Sequence, residues 1–118
     1  MKTISLVFTI IVAVLHIYFL ILEMFLWTKP KGLKTFGLKK DFAEESKVLA
    51  ANQGLYNGFL AAGLIWGVLK ANSEIILFFL ICVIIAGIYG AYSTKKMSLF
   101  YVQAVPAIIA IITKLFFY

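Results

Sequence analysis

The stretch Ile4–Trp27, ISLVFTIIVAVLHIYFLILEMFLW, determines the fold class predicted for this chain. Its polar residues are Ser5, Thr9, His16 and Glu23. A helix needs about 20 predominantly apolar residues to cross the hydrocarbon core of a bilayer. The run is too long for the apolar part of a signal peptide, and it lacks a small-residue cleavage site before the lysines that follow. We therefore predict a retained first membrane span at residues 4–27.

Three further apolar runs follow, at residues 49–69, 75–92 and 97–117. The chain of 118 residues is 64% apolar and 14% charged, with a mean hydropathy of +1.03, whereas a soluble domain carries about 25% charged residues. The alternating strand pattern of a β-barrel is missing, and helices satisfy their own backbone hydrogen bonds in lipid. The sequence predicts an all-α polytopic membrane protein, with one four-helix transmembrane bundle over residues 1–118.

The lysines predict the orientation of this bundle. The chain has 11 basic residues, all lysines, and five acids, which gives a formal net charge of +6. Segments 28–48 and 93–96 hold most of them: Lys29, Lys31, Lys34, Lys39, Lys40, Lys47, Lys95 and Lys96. The others are Lys2, Lys70 and Lys114. Because cytoplasmic loops are rich in basic residues, we predict a plasma-membrane protein with both segments cytoplasmic and both termini outside. Lysines between apolar runs argue against a nucleic-acid partner.

The long segment 28–48 allows two interpretations. Its lysines alternate with Leu33, Phe36, Leu38 and Phe42. Such a pattern is typical of a segment that lies on an anionic inner leaflet, which would make membrane lipids a partner. A solvated cytoplasmic loop explains it equally well.

A capping-box spacing in this segment predicts where the second helix starts. Asp41 is followed three residues later by Glu44, and an N-cap acid with a glutamate at that distance is a helix-start signal. We expect the helix to begin near Phe42, with Asp41 as its cap.

Glu23 is the first candidate functional residue, because an ionisable group inside a membrane span is costly and usually has a role. His16 lies seven residues earlier, so both side chains face nearly the same direction on a helix. Two simpler explanations stay open. Glu23 lies near Trp27 and could extend to the interface, and His16 could hydrogen-bond a neighbour in the core.

The second helix adds a polar sector in the sequence AANQGLYNGFLAAG. Asn52, Gln53, Tyr56 and Asn57 occupy one side at about 100° per residue. We predict that a ridge of small residues lies on the opposite side and packs closely against another helix: Gly54, Gly58 and Ala62. The amides could also serve only as links between helices.

Tyr89 and Gln103 on the third and fourth helices complete a predicted polar layer near the cytoplasmic end. The predicted ligand-binding set is His16, Glu23, Asn52, Gln53, Tyr56, Asn57, Tyr89 and Gln103. We expect this layer to bind a small amphipathic or lipid-like molecule. Ala86 and Gly90 form a further small-residue face, and such faces could support a homo-oligomer.

No cofactor or metal is predicted. Cys82 is the only cysteine and lies inside an apolar run, so neither a disulfide framework nor a CxxC metal site exists. A nucleophile motif and a phosphate-binding loop are also missing, which makes an enzyme the least supported class and leaves the question of activity open.

Four motifs together resemble a small bacterial membrane-protein family that is catalogued as a domain of unknown function, DUF1304. They are HIYFLILEMFLW (His16–Trp27), NQGLYNGFLAAGL (Asn52–Leu64), GIYGA (Gly87–Ala91) and VQAVPA (Val102–Ala107). The resemblance covers essentially the whole chain. It implies a four-helix membrane fold and no particular activity.

Two functional families offer partial analogies and define the alternatives. Small multidrug-resistance exporters are similar in length and carry a proton-coupling glutamate in their first helix, where Glu23 could take that role. Membrane-associated eicosanoid and glutathione enzymes also have four helices and a long first loop, but they bind glutathione through arginines, which this chain lacks. A structural or accessory membrane subunit is the remaining alternative.

Overall fold

A computed structural model describes residues 2–94 and 97–116, and within these ranges the chain forms five α-helices and no strand. The helices are α1 (Lys2–Met24), α2 (Pro30–Phe36), α3 (Lys40–Leu69), α4 (Ser73–Thr94) and α5 (Met97–Phe116). Each predicted span lies largely within one long helix, but residues 25–27 of the first lie beyond α1, and α3 begins well before residue 49. Positions 95 and 96 of the predicted turn, and the last residue of the predicted span 97–117, lie outside the described residues.

The helices divide into two compact units, one of Met1–Leu15 with Leu60–Tyr118 and the other of His16–Phe59. In the first unit, α1, α3, α4 and α5 all contribute to one apolar core. Its buried members are Val12, Ala13, Leu64, Ile76, Leu80, Val83, Ala107 and Ala110. Both members from α5 are alanines, and α4 and α5 pack closely, since a Cβ added to Gly87 would lie 3.0 Å from the Ala104 Cβ.

Two hydroxyl groups are buried in this unit beside the apolar core. The Ser5 hydroxyl donates a hydrogen bond of 2.9 Å to the backbone carbonyl of Ala110 on α5. The Thr9 hydroxyl donates at 2.8 Å to the carbonyl of Ser5, one turn earlier on α1. Both hydroxyls are therefore satisfied although their residues are buried, which removes the penalty for an unpaired polar group.

The turn between α3 and α4 has a left-handed residue followed by a helix cap. Ala71 adopts a φ of +50°, and the Asn72 N–H donates back to the carbonyl of Gly67 at 3.0 Å, the 6→1 bond of a Schellman ending. The Asn72 side-chain oxygen then accepts from the N–H groups of Glu74 (2.9 Å) and Ile75 (3.2 Å). One short turn thus closes α3 and caps α4.

The second unit corrects the prediction for segment 28–48, which is largely helical. Pro30 stands in the first turn of α2, where its fixed φ and missing N–H suit a helix start. Gly37 ends α2 in the left-handed region, with a φ of +64°. The next helix begins at Lys40 rather than near Phe42, so Asp41 lies inside its first turn and is not its cap.

Within residues 2–94 and 97–116, two helices are long and apolar enough to cross a membrane: α1 over Thr3–Met24 and α4 over Ser73–Ser93. Most of each helix is not buried, since only 28% of its most apolar window lies inside the protein. The exposed side chains include Val14 on α1 and Phe78 and Ile85 on α4, each more than half accessible. Exposed apolar surfaces of this kind mark a contact with another protein or with a membrane.

Candidate functional site

Glu23 and Asn57 form a polar pair between α1 and α3 within the second unit. The Asn57 side-chain amide donates to the Glu23 carboxylate at 2.5 Å. Asn57 is buried, with 4% of its surface accessible, while Glu23 is half-buried. In residues 2–94 and 97–116 no lysine forms an ion pair with Glu23, and the ion pair present there joins Lys47 to Glu44. A neutral amide is therefore the polar partner of this carboxylate.

Two glycines let α3 approach α1 closely enough for this bond. A Cβ on Gly54 would lie 2.7 Å from the Met24 Cγ, and one on Gly58 would lie 2.7 Å from the Leu20 Cδ1. Asn57 stands between them in sequence and faces the same helix. The predicted separation of the glycine ridge and the polar sector is wrong here, because Asn57 lies at the edge of that sector, about 60° from Gly54 on a helix.

The other polar residues of α3 do not share this inward face. Asn52, Gln53 and Tyr56 are exposed, and the Tyr56 ring contacts Phe59 edge-on with the centroids 5.8 Å apart. Ala62, the third member of the predicted ridge, is exposed as well. The face of α3 that is actually buried runs Ala50, Gly54, Asn57, Ala61 and Leu64, with alternating steps of four and three residues.

His16 is fully buried, and its ring meets Phe19 edge-on with the centroids 5.3 Å apart. Glu23, predicted to face nearly the same direction on α1, is half-buried, and the shared direction stays a prediction. His16 sits in an aromatic setting, and Glu23 in a polar one.

Tyr89 and Gln103 belong to the first unit. Tyr89 is exposed and lies beside Ile85, Ile88 and Tyr92 along a shallow apolar groove on α4. Gln103 is half-buried, and a Cβ placed on Gly87 would lie 3.3 Å from the Gln103 Cβ. Their membership in a common ligand site with Glu23 stays a prediction.

One of the two small-residue faces packs against another helix of the same chain. Gly54 and Gly58 pack against α1, whereas Ala86 and Gly90 are half-buried and a Cβ on Gly90 would have no neighbour within 4 Å. A homo-oligomer through these faces stays a prediction. In the described ranges, no three His, Cys, Asp or Glu side chains come together as metal ligands.

The sequence interpretation missed a small structured cluster after α1. The Trp27 indole N–H donates to the Ser46 hydroxyl at 3.0 Å, and its ring packs on Phe36 with the centroids 5.0 Å apart. Gly32 fits so closely that a Cβ would lie 2.0 Å from the Leu26 carbonyl oxygen. Pro30 and Gly37, spaced as a helix start and stop, are the signal that could have revealed α2.

These features define an all-helical protein with two helices able to cross a membrane and a carboxylate–amide pair between α1 and α3. Comparison with known proteins confirms the predicted family resemblance. Residues 10–115 match the family described as "Protein of unknown function (DUF1304)", and the chain belongs to this family. It is also similar to the "Uncharacterized protein YpaA" of Lactococcus lactis subsp. lactis (strain IL1403), with 31% identity over 120 residues, 98% of this chain and 100% of the relative. No solved structure matches the chain.

Proposed function

We propose that this chain is a four-span plasma-membrane protein whose Glu23–Asn57 pair binds the polar group of a small amphipathic or lipid-like molecule. The observation that carries the proposal is the half-buried Glu23 carboxylate on an apolar helix, bonded to a neutral amide and without an ion pair in the part of the chain described. A carboxylate inside a membrane span costs free energy, and such residues usually have a functional role. A ligand that brings a hydrogen-bond donor or a positive charge would offset that expense.

Asn57 suits a positioning role in such a site. Its amide has two N–H donors and one oxygen, and one N–H holds the Glu23 oxygen. Its burial restricts its rotamers, so the carboxylate is held at a defined place beside Gly54 and Gly58. A ligand group would then meet an oriented carboxylate and not a mobile one. The exposed polar residues of α3 would contact the more distant parts of the molecule: Asn52, Gln53 and Tyr56.

Native mass spectrometry of the full chain released from mild detergent tests this proposal. The comparison uses wild type, Glu23→Gln, and Glu74→Gln as a matched control, because Glu74 is an exposed glutamate in the first turn of α4. A stoichiometric adduct in wild type and the control that disappears in Glu23→Gln supports the site. An adduct that persists in Glu23→Gln, or the absence of any adduct, contradicts it.

Proton-coupled export is the second candidate, and it is favoured because no lysine among the described residues forms an ion pair with Glu23. A carboxylate without a fixed counter-ion is free to use a proton for that purpose, with His16 as a possible relay further along α1. A substrate-driven pH change in proteoliposomes, lost in Glu23→Gln, would select this mechanism over simple binding. Normal cellular function after substitution of both Glu23 and Asn57 would instead favour an accessory subunit.

The proposed topology places segment 28–48 in the cytoplasm and both termini outside, on the basis of the lysine bias. Single cysteines test it in a Cys82→Ser background. We expect Leu38→Cys to be protected from a membrane-impermeant maleimide in intact cells and Ala71→Cys to be labelled. The reverse pattern would invert the topology, and labelling of both positions would contradict the four spans.

A further inference from the structure

The chain carries an exposed, strongly basic surface just after α1, which we define as the basic segment, residues 29–40. Five lysines lie on it, all exposed: Lys29, Lys31, Lys34, Lys39 and Lys40. No acid occurs between the first and the last of them. Within the described residues none of the five forms an ion pair. Like charges this close together repel each other, and an anionic partner relieves that repulsion.

The basic segment is a built structure and not a free loop. Gly32 is seated against the Leu26 backbone, where a side chain would have no room. Trp27 connects the segment to α3, because its ring contacts Phe36 of the segment and its indole N–H donates a hydrogen bond to Ser46 on α3. The left-handed Gly37 ends α2 and directs the chain into α3. The lysines are therefore presented from a fixed backbone, which lowers the conformational entropy lost on binding.

Chain position identifies the partner. The basic segment begins five residues after the end of α1, a helix long and apolar enough to cross a membrane. Four to eight basic residues directly beside a membrane span are typical of anionic-lipid recognition. The lysines alternate with half-buried Leu33, Phe36 and Leu38, and side chains of this kind sit at the boundary between headgroups and acyl chains.

We infer that the basic segment binds the anionic phosphate headgroups of the bilayer in which α1 resides, and so holds the α1–α3 connection on the membrane surface. Each lysine near such a surface strengthens association about fivefold, which corresponds to about 1 kcal/mol. The inference requires α1 to span the bilayer, as proposed above. It does not require the Glu23 site, so the two proposals fail independently.

Fluorescence quenching of Trp27 measures this interaction directly. The chain has two tryptophans, so Trp66→Phe in the full chain leaves Trp27 as the reporter beside Phe36. The protein is reconstituted in nanodiscs of phosphatidylcholine with some phosphatidylglycerol, with bromine on the acyl chains of one lipid at a time. Competition gives the association constant of phosphatidylglycerol relative to phosphatidylcholine near Trp27. Failure to incorporate would show that α1 does not span, which would overturn this inference at its first step.

We expect a relative association constant of several-fold in favour of phosphatidylglycerol, falling towards one in high salt because salt screens exposed charges. Lys34→Gln should move it towards one, whereas Lys70→Gln, which removes a lysine outside the basic segment, should leave it unchanged. A value of one in wild type at low salt, or equal effects of both substitutions, would overturn the inference. Displacement of the lipid preference by soluble inorganic phosphate or by an oligonucleotide would assign the surface to a different partner and would also overturn it. The salt comparison is made with the wild-type basic segment, so it tests the inference even if a lysine variant folds poorly.

Discussion

The hydrogen bond between Asn57 and Glu23 should couple the two residues energetically, and a double-mutant cycle of Glu23→Ala and Asn57→Ala measures that coupling. Hydrogen bonds to charged groups contribute about 1.5–3 kcal/mol in proteins, but polar pairs between helices in membranes average about 0.6 and reach about 1.7 kcal/mol. The carboxylate acceptor and the burial of Asn57 favour the upper part of the membrane range. We expect a coupling free energy of about 1–1.5 kcal/mol.

The cycle separates this coupling from the general effects of truncation. Asn57→Ala alone should destabilise the protein more than Glu23→Ala alone, because it leaves a half-buried carboxylate without its donor. The measurement is reversible unfolding in mixed micelles of dodecyl maltoside and SDS, followed by tryptophan fluorescence. Asn52→Ala replaces Asn57→Ala in the control cycle, because Asn52 is an exposed amide on the same helix. A coupling below about 0.5 kcal/mol, the usual error of additivity, would refute the reasoning, as would equal coupling in the control cycle.

Three further predictions concern the local backbone and use the same unfolding measurement. Gly32→Ala should destabilise the protein, because its Cβ would lie 2.0 Å from the Leu26 carbonyl oxygen. Gly90→Ala, whose Cβ would meet nothing within 4 Å, should be neutral or stabilise α4 by up to about 1 kcal/mol. A larger loss of stability for Gly90→Ala than for Gly32→Ala would contradict the packing at α2. Ala71→Gly should stabilise by about 1 kcal/mol, because a left-handed φ of +50° favours glycine, and a loss of stability would argue against that turn. Asn72→Ala should cost about 1 kcal/mol through loss of the α4 cap, and Asn72→Ser or Asp should recover most of it.

The predicted spans correspond well to helices because long apolar runs leave few alternatives. Residues 75–92 fall within α4 and 97–117 nearly coincide with α5. The first run fares less well at its end, since α1 stops at Met24 and not at Trp27. Trp27 belongs to the same apolar run, but its indole N–H donates to Ser46, 19 residues later. Hydropathy along the chain carries no information about a contact of that kind.

The candidate site was also predictable only in part from the sequence. Glu23 stands out in the sequence because a carboxylate is rare in such a run, and Asn57 was one of four polar candidates on the second helix. Only packing distinguishes Asn57 from the exposed Asn52 and Gln53. The face that α3 turns to α1 is selected by the glycines at 54 and 58, and the helical angle brings Asn57 onto that face.

Composition and apolar run length thus determined the all-helical class, the positions of the long helices and the unusual status of Glu23, because these depend on local transfer free energies summed along the chain. Tertiary structure alone decided that Asn57 is the residue bonded to Glu23 and that Trp27 contacts Phe36 and Ser46. Those contacts depend on how side chains from different helices pack against one another. Packing depends on shape and distance between residues that are far apart in sequence, so it is set only when the chain folds.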